Sequence, residues 1–264
     1  MTYQTTVIKL EGYGPWTLSL GSDREYSLQI LQAKIYADLQ ESFSCKNGLV
    51  FSNKFDEFIA ITNQIDVHEH VRIYDDLSRK YDKIKLSMTM GIDETPLKSN
   101  KKAHLIKNTK EYLIMPSVYA NKADTSTQVK KKIGLQAETP NNDVKILHID
   151  INNSSAITKN LSSYEITNLI LKLYSTISDI FMKEESLSFY LGGDNFMIIT
   201  KKNMSTENVK EMVDSLTKLT KIKLNCGIGN GDTGRKAAEL ATKSLDVIRE
   251  FRKKGRIVNV YESF

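Results

Sequence analysis

The stretch Phe189–Met197 reads FYLGGDNFM and predicts the fold of the region around it. A β-prone apolar run stops at Gly192, Gly193 and Asp194 and then resumes, which is the pattern of a hairpin whose tip presents a carboxylate. Two glycines permit positive φ angles and let a ligand approach the backbone closely. Most Gly-Gly-Asp tips are only turns, so this motif indicates a site only together with a second feature.

The second feature is an acid on an earlier strand. Val144–Ile151 reads VKILHIDI, a β-rich run whose one carboxylate is Asp150. An ionised Asp between two isoleucines is costly to bury unless a cation pairs with it. Between this run and the hairpin lies Tyr164–Met182, whose apolar residues recur at helical spacing. The order strand, helix, hairpin predicts that Asp150 and Asp194 lie on adjacent strands at the same end of one sheet.

Two carboxylates and a carbonyl oxygen form the oxygen-rich site that Mg²⁺ uses together with nucleotide phosphates. We predict that Asp150, Asp194 and the backbone carbonyl of Ile151 bind the metal; the alternative is that the two acids cap turns. His148 lies two residues before Asp150 and therefore on the same face of the strand. It is a candidate catalytic base, although a positioning or structural role is preferred.

A glycine-rich run, Cys226–Gly234, reads CGIGNGDTG and precedes a helix that is predicted to begin near Arg235. Glycine-rich turns before helix N-termini bind phosphate through exposed N–H groups. Gly229 is therefore a candidate nucleotide contact, and an ordinary turn between strand and helix is the alternative. Arg249 on the same helix is either a phosphate contact or a surface charge.

The composition is that of an ordinary globular protein. The chain has 264 residues, of which 40% are hydrophobic and 26% charged, and its net charge is +5. This mild positive charge favours an anionic substrate over a nucleic-acid footprint. The two cysteines, Cys45 and Cys226, form no CxxC pair, which fits a reducing compartment. No apolar run reaches about 18 residues and the N-terminus has no signal layout. We expect a cytoplasmic protein that binds neither nucleic acid nor a membrane.

The second half of the chain repeats the first. Three landmarks recur at a nearly constant offset, which indicates a tandem duplication. The pairs are Glu11 with Asp150 at 150 − 11 = 139, Asp56 with Asp194 at 194 − 56 = 138, and Gly91 with Gly227 at 227 − 91 = 136.

Each half has the element order β-α-β-β-α-β followed by an extra helix. The predicted fold class is α+β, a tandem duplication of ferredoxin-like (βαββαβ) domains with antiparallel sheets and the helices on one face. We expect the halves to meet across the other face. The predicted domains are 1–120 and 144–264, with a linker or mobile segment over 121–143, a helix over Thr95–Tyr112 and an edge strand at Arg256–Tyr261. Only the second half has the double-glycine tip, so we expect the ion site there.

Several motifs resemble archaeal GTP cyclohydrolase III over nearly the whole chain. They are YGPW at 13–16, YADL at 36–39, GLVF at 48–51, HIDINN at 148–153 and GGDNFM at 192–197. The resemblance implies a fold related to nucleotidyl cyclases and GGDEF-type diguanylate cyclases, whose palm domains hold two metal ions with two acids. Asp150 and Asp194 match those acids. Glu11-Gly12 departs from the Asp-Asn expected in relatives, which leaves the role of the first-half acids Glu11 and Asp56 open.

The resemblance also implies a reaction, cofactors and partners. The substrate is expected to be GTP, whose imidazole ring is opened with retention of the formyl group and whose pyrophosphate leaves as two phosphates. The expected product is 2-amino-5-formylamino-6-ribosylamino-4(3H)-pyrimidinone 5′-monophosphate, a precursor of riboflavin and deazaflavin cofactors. Two Mg²⁺ ions, activation by K⁺ or another monovalent cation, and a homo-oligomer (dimer or tetramer) are expected. The expected nucleotide contacts are Gly192, Gly193, Asn195, Asn153, Gly229 and Arg249.

Two other functions stay open. A nucleotidyl cyclase needs the same acids but attacks with a hydroxyl group, and a nucleotide-sensing module binds without turnover. The intact acids and glycines of the second half argue against a sensor. The covalent tandem of unequal halves argues against a diguanylate cyclase, which works as a homodimer.

Overall fold

The computed structural model describes residues 2–106, 113–114 and 143–263. These residues divide into two compact units that change over at residue 143, and residues 95–97 group with the second unit. Apart from Asp143, the predicted linker over 121–143 lies outside the described residues, as do positions 107–112 of the predicted helix Thr95–Tyr112. Within the described ranges, no helix is long and apolar enough to cross a membrane.

The first unit follows the predicted order of strands and helices. Its elements are β1 (Tyr3–Glu11), α1 (Tyr13–Ser19), α2 (Glu25–Ser44), β2 (Leu49–Lys54), β3 (Glu57–Ile61), α3 (Val67–Lys80), β4 (Lys85–Asp93), α4 (Pro96–Ile106) and β5 (Leu113–Ile114). The strands lie in the order β2-β3-β1-β4-β5, and every neighbouring pair is antiparallel.

The second unit repeats this plan with the same number of strands, and it differs in the direction of its last strand. Its elements are β6 (Val144–Ile151), α5 (Ser154–Thr158), α6 (Ser163–Lys183), β7 (Leu187–Gly192), β8 (Asn195–Thr200), α7 (Thr206–Thr220), β9 (Leu224–Gly231), α8 (Gly234–Lys253) and β10 (Val260–Ser263). The strand order is β10-β9-β6-β8-β7. The predicted edge strand begins later than expected, and it runs parallel to β9. A helical crossover through α8 returns the chain in the same direction, so this sheet is mixed.

The helix α6 forms where the sequence spacing predicts it. It begins with a capping box, in which the Ser162 and Glu165 side chains satisfy each other's backbone N–H groups. Its buried stripe packs into the core of the second unit, which removes apolar side chains from water. The buried members are Ile170, Leu173, Ile177 and Phe181.

The helices of the second unit lie on both faces of its sheet. Alternation along β6 directs Leu147 and Ile149 into the core with α6 and α7, and it directs His148 and Asp150 to the opposite face, where α8 lies. The prediction of helices on one face holds for the two helices of the ferredoxin-like core. The extra helix α8 departs from it and covers the face that carries the candidate site residues.

Glycines on β9 allow α8 to lie directly on the sheet. A Cβ atom at Gly229 would stand 2.2 Å from the carbonyl oxygen of Ala237 and 2.3 Å from the backbone nitrogen of Ala241. Gly227 and Gly231 approach the helix as closely, with hypothetical Cβ contacts of 2.1 and 2.5 Å. The predicted phosphate-binding turn is therefore a strand. The prediction that Gly229 contacts a nucleotide is wrong, because the helix fills the space that a ligand would need.

The duplication is visible in matching contacts. The ring of Tyr36 stacks on Phe58, and that of Tyr174 stacks on Phe196, which gives an offset of 174 − 36 = 138. The opening strands have a different offset. Tyr3 lies opposite Asp93 and Val144 lies opposite Gly231, so that 144 − 3 = 141 while 231 − 93 = 138.

This register corrects two alignments made from the sequence. Lys9 occupies the place of Asp150 (150 − 9 = 141), so Glu11 is not its equivalent. Gly91 corresponds to Gly229, not to Gly227, because a Cβ atom at Gly91 would meet the backbone of α4 at the matching positions. The distance from Lys9 to the start of α2 is 25 − 9 = 16 residues, against 163 − 150 = 13 in the second half. These three extra residues account for the difference between the offset of 141 for the opening strands and the offset of 138 for the later elements.

A buried polar cluster ties α3 to the first sheet. His70 is fully buried, and its Nε2 lies 2.8 Å from Thr6 Oγ1, while its Nδ1 lies 2.7 Å from the carbonyl oxygen of Asp66. The carbonyl can only accept, so Nδ1 carries the proton and Nε2 accepts from the threonine hydroxyl. Burial lowers the pKa of His70 from 6.5 to about 4. The neutral ring is therefore part of the folded state.

We predict that Gly229→Ala destabilises the chain by about 2 kcal/mol or more, because the added methyl group overpacks the contact between β9 and α8. Gly14→Ala is the control, since no atom lies within 4 Å of its hypothetical Cβ, and its effect is expected to stay below about 1 kcal/mol. Urea denaturation measures both free energies of unfolding. Unchanged stability of Gly229→Ala with weakened GTP binding would restore the nucleotide-contact assignment.

We predict that His70 makes the free energy of unfolding depend on pH. Its folded pKa lies below its unfolded value of 6.5, so its contribution is present above pH 6.5 and is lost as the pH falls toward 4. The loss amounts to about 3 kcal/mol. Urea denaturation between pH 7 and pH 4.5 checks it, with a shallower pH dependence expected for His70→Gln. His68→Gln, an exposed histidine on the same helix, should behave like the unmodified chain; equal slopes for all three would contradict the assignment.

Candidate functional site

Asp150 is a buried carboxylate whose two oxygens both accept hydrogen bonds. It lies near the end of β6 and is 5% exposed. Asn225 Nδ2 on β9 donates to Oδ1 at 2.6 Å, and Arg249 Nη2 on α8 donates to Oδ2 at 2.8 Å. Arg252 Nη2 donates to Asn225 Oδ1 at 2.6 Å and so orients that amide. The predicted cationic partner of a buried Asp150 is therefore Arg249.

Asp194 lies in the turn between β7 and β8. Gly192 and Gly193 take positive φ angles of 107° and 60°, as the sequence predicts for this tip. The space beside Gly192 is open, since no atom lies within 4 Å of its hypothetical Cβ. Tyr190 Oη donates to the carbonyl of Gly193 at 3.1 Å and closes the turn. The hairpin therefore presents a carboxylate beside accessible backbone.

The two acids lie at the same end of neighbouring strands. Asp150 stands directly opposite Asn195 across the pairing of β6 with β8, and Asp194 is the residue before Asn195. This confirms the arrangement that the strand, helix, hairpin order predicts. Asn195 also links the acids to the rest of the site, since its Nδ2 donates to Asp194 Oδ1 at 3.1 Å.

His148 joins α8 to the hairpin tip. Its Nδ1 lies 3.0 Å from Thr242 Oγ1, and its Nε2 lies 3.1 Å from Asn195 Oδ1. Because the amide nitrogen of Asn195 faces Asp194, the amide oxygen faces the imidazole and can only accept, so Nε2 carries the proton. Burial lowers the pKa of His148, against the hydrogen bond with Asn195 and the charge of Asp150, which raise it. Thr242 Oγ1 also lies 3.0 Å from the Ala238 carbonyl oxygen, so its single proton is shared between that carbonyl and Nδ1 of the neutral ring.

The remaining predicted contacts differ in their surroundings. The side chain of Ile151 is buried in the core, so only its backbone carbonyl is available for a metal. Asn153 adopts the left-handed conformation (φ 57°) where the chain turns into α5, and Gly12 does the same before α1 (φ 67°). Arg249 lies at the site and also binds Asp246, with Nη1 to Oδ1 at 2.8 Å.

Three residues of the site were not predicted, namely Asn225, Arg252 and Thr242. Asn225 is a polar residue within an apolar strand, a signal that becomes readable only when the pairing register places it opposite Asp150. Thr242 is one of several polar residues on α8, and nothing in its sequence context distinguishes it. Its role depends on the turn of the helix that faces His148.

The donor set suits Mg²⁺ bound with a nucleotide. In the described part of the chain, no three His, Cys, Asp or Glu side chains come close enough to hold a metal by themselves. Mg²⁺ in nucleotide sites takes one or two carboxylates and completes its shell with phosphate oxygens and water. Asp150, Asp194 and the Ile151 carbonyl supply oxygens of that kind. Asp150 is also compensated by a cation in this structure, as a buried carboxylate requires.

The first unit carries an ion pair at the corresponding place. Lys9 Nζ lies 2.6 Å from Glu57 Oε2, and the two residues match Asp150 and Asn195 of the second unit. Burial raises the pKa of Glu57, but its bonds with Lys9 and Asn53 and the charge of Lys9 outweigh it and lower the pKa. Glu11 instead accepts a hydrogen bond from a serine hydroxyl on β4. The first-half acids therefore do not reproduce the arrangement of Asp150 and Asp194.

Comparisons with known proteins agree on one family. The family model described as GTP cyclohydrolase III matches residues 1–262. GTP cyclohydrolase III of Methanocaldococcus jannaschii is 35% identical over 93% of this chain and 88% of its own length. That of Methanothermobacter thermautotrophicus is 31% identical over 93% of this chain and 94% of its own length.

Among solved structures, an EAL/GGDEF domain protein from M. capsulatus aligns with 47% of this chain and 87% of its own, at 18% identity and a TM-score of 0.38. A score this low supports no inference about ligands or activity. The family match covers both units, including the strand that carries Asp150 and the hairpin turn that carries Asp194. The chain belongs to the GTP cyclohydrolase III family.

Proposed function

We propose that the chain hydrolyses GTP at the site around Asp150 and Asp194. One water adds across the C8–N7 double bond, with its oxygen on C8 and one proton on N7; the bond from C8 to N9 then breaks as the formyl C=O forms, and N9 takes the second proton, so that the formyl group stays on N7 of the product. Two further waters cleave the two phosphoanhydride bonds, releasing two phosphates. The product is 2-amino-5-formylamino-6-ribosylamino-4(3H)-pyrimidinone 5′-monophosphate. The observation that carries this proposal is a buried carboxylate beside a glycine tip, in a chain of this family.

Asp150, Asp194 and the Ile151 carbonyl are proposed to hold Mg²⁺, as two ions. When bound, Mg²⁺ neutralises phosphate charge and acts as a Lewis acid. The chain's own contribution is placement, because Asp150 is held by Asn225 and Asp194 by Asn195. Open space beside Gly192 admits a phosphate or a base edge near these acids, and beside Gly193 the nearest atom to a hypothetical Cβ is Asn195 Nδ2 at 3.7 Å. K⁺ activation, a homo-oligomeric state and a cytoplasmic location stay predictions from the family resemblance.

His148 is assigned a positioning role. Its Nε2 donates to Asn195 and its Nδ1 lies 3.0 Å from the Thr242 hydroxyl, so both ring nitrogens already have a partner within the chain. The chain of hydrogen bonds from α8 through His148 and Asn195 ends at Asp194. The imidazole therefore fixes the orientation of an acid at the hairpin tip, which pre-organises the site before a ligand binds.

We expect the chain to convert GTP in the presence of Mg²⁺ and K⁺, with loss of the purine absorbance and release of two phosphates per GTP. ATP should react about 10⁴-fold more slowly, since a site that hydrogen-bonds the guanine edge leaves buried polar groups unpaired with adenine. Ultraviolet spectra and a phosphate assay measure both reactions. Release of pyrophosphate with an intact purine would identify a nucleotidyl cyclase, and binding without turnover would identify a sensor.

We predict that Asp150→Asn and Asp194→Asn each lower kcat by at least about 10²-fold, because several kcal/mol of transition-state stabilisation depend on the bound ion. Asp150→Asn does not strand a buried cation, since Arg249 is half-exposed and keeps Asp246. The Tm is therefore expected to move by less than about 4 °C. Asp56→Asn changes the matching turn residue of the first unit and is the control. Equal rate losses at Asp56 and Asp194 would refute the assignment of the site to the second unit.

A further inference from the structure

Arg249 is shared between a buried and an exposed carboxylate. Its Nη2 binds Asp150 and its Nη1 binds Asp246, each at 2.8 Å. The side chain of Asp150 is 7% exposed, whereas those of Arg249 and Asp246 are 49% and 61% exposed. One end of this fork therefore lies at a buried acid, while the arginine side chain as a whole is half-exposed.

The corresponding pair in the first unit is enclosed within the sheet. Lys9 and Glu57 come from paired strands, and their side chains are 18% and 7% exposed. Neither side chain has the open surroundings of Arg249. In the second unit, by contrast, the compensating cation comes from a helix and has a second anionic partner. The duplicated fold thus combines an enclosed ion pair within the sheet of one unit with a pair whose cation is half-exposed on a helix in the other.

We propose that Arg249 is a displaceable counter-ion of Asp150. It neutralises the buried carboxylate in the ligand-free chain, and it moves to the phosphates of the nucleotide when a divalent cation takes its place at Asp150. The inference rests on the proposed function, in which Asp150 is a ligand of the divalent ion. It adds to that function the order in which the guanidinium, the divalent ion and the nucleotide phosphates exchange partners at Asp150.

The exchange follows from charge compensation. A buried carboxylate left without a cation costs several kcal/mol, so Arg249 leaves Asp150 only when another cation arrives. A divalent ion that arrives alone must compete with the guanidinium for the same carboxylate. An ion that arrives with a triphosphate also brings the anion to which Arg249 moves, and guanidinium groups bind phosphate oxygens in fork geometry. Divalent ion and nucleotide are therefore expected to bind with positive coupling.

The test measures binding of Mn²⁺ by the electron paramagnetic resonance signal of the free ion, without and with a non-hydrolysable GTP analogue. Without nucleotide, Arg249→Gln should bind Mn²⁺ about 10-fold more tightly than the unmodified chain, which lies within the range of coupling between sites. With the analogue this advantage should disappear, because the variant also binds the analogue about 10-fold more weakly. Lys243→Gln removes an exposed cation from the same helix and should bind Mn²⁺ like the unmodified chain.

A second variant should change the affinity for Mn²⁺ in the opposite direction. Asp246→Asn takes away the alternative partner of Arg249 and should weaken binding of Mn²⁺ alone; Asp246 is exposed, so this variant keeps the fold even if Arg249→Gln does not, as circular dichroism will report. The counter-ion proposal would be overturned if Arg249→Gln bound Mn²⁺ with the same affinity as the unmodified chain and Lys243→Gln. It would also be overturned if Asp246→Asn bound Mn²⁺ as tightly as the unmodified chain. Mn²⁺ binding that persists in Asp150→Asn would instead overturn the proposed metal site itself.

Discussion

The contact between β9 and α8 is the constraint on which the site of the second unit depends. A helix can lie this close to a strand only where side chains are absent, and a Cβ atom at Gly229 would stand 2.2 Å from a carbonyl oxygen of the helix. The close approach places Arg249 and Thr242 over β6, within hydrogen-bond distance of Asp150 and His148. The glycines thus act at the site through the position of the helix, without touching a ligand themselves.

The duplicated units satisfy the same electrostatic requirement with different charges. A carboxylate within a sheet needs a cation, because desolvation penalises an isolated charge heavily. The first unit places Lys9 at the position of Asp150 and pairs it with Glu57 from the next strand. The second unit has the acid on the central strand and receives its cation from a helix. The acid lies on different strands in the two units, and the fold is the same in both. The central-strand position therefore presents a cation in the first unit and an anion in the second, which changes what it can bind.

The polar contacts around the acids form two chains of hydrogen bonds, and both chains start on α8. Thr242, His148 and Asn195 lead from α8 to Asp194, and Arg252, Asn225 and Asp150 lead from α8 to the centre of the sheet. Each acid is therefore oriented by an amide whose own position is set by another side chain. Burial favours the neutral form of His148. The neutral ring suits the site, because it contacts the Thr242 hydroxyl on one side and orients the Asn195 amide on the other.

The sequence by itself determined the elements, the duplication and the neighbourhood of the two acids. Those features follow from local causes, namely apolar periodicity, glycines at a turn, and the short connections that make consecutive strands pair. The tertiary structure alone decided the register of the repeat, which exchanged Glu11 for Lys9 as the counterpart of Asp150. It also decided that Gly229 packs under a helix and that Arg249 pairs with Asp150. A three-residue difference in a connecting segment, and the face on which a helix packs, leave no periodic trace in the chain, because the resulting contacts join residues 75 to 99 positions apart.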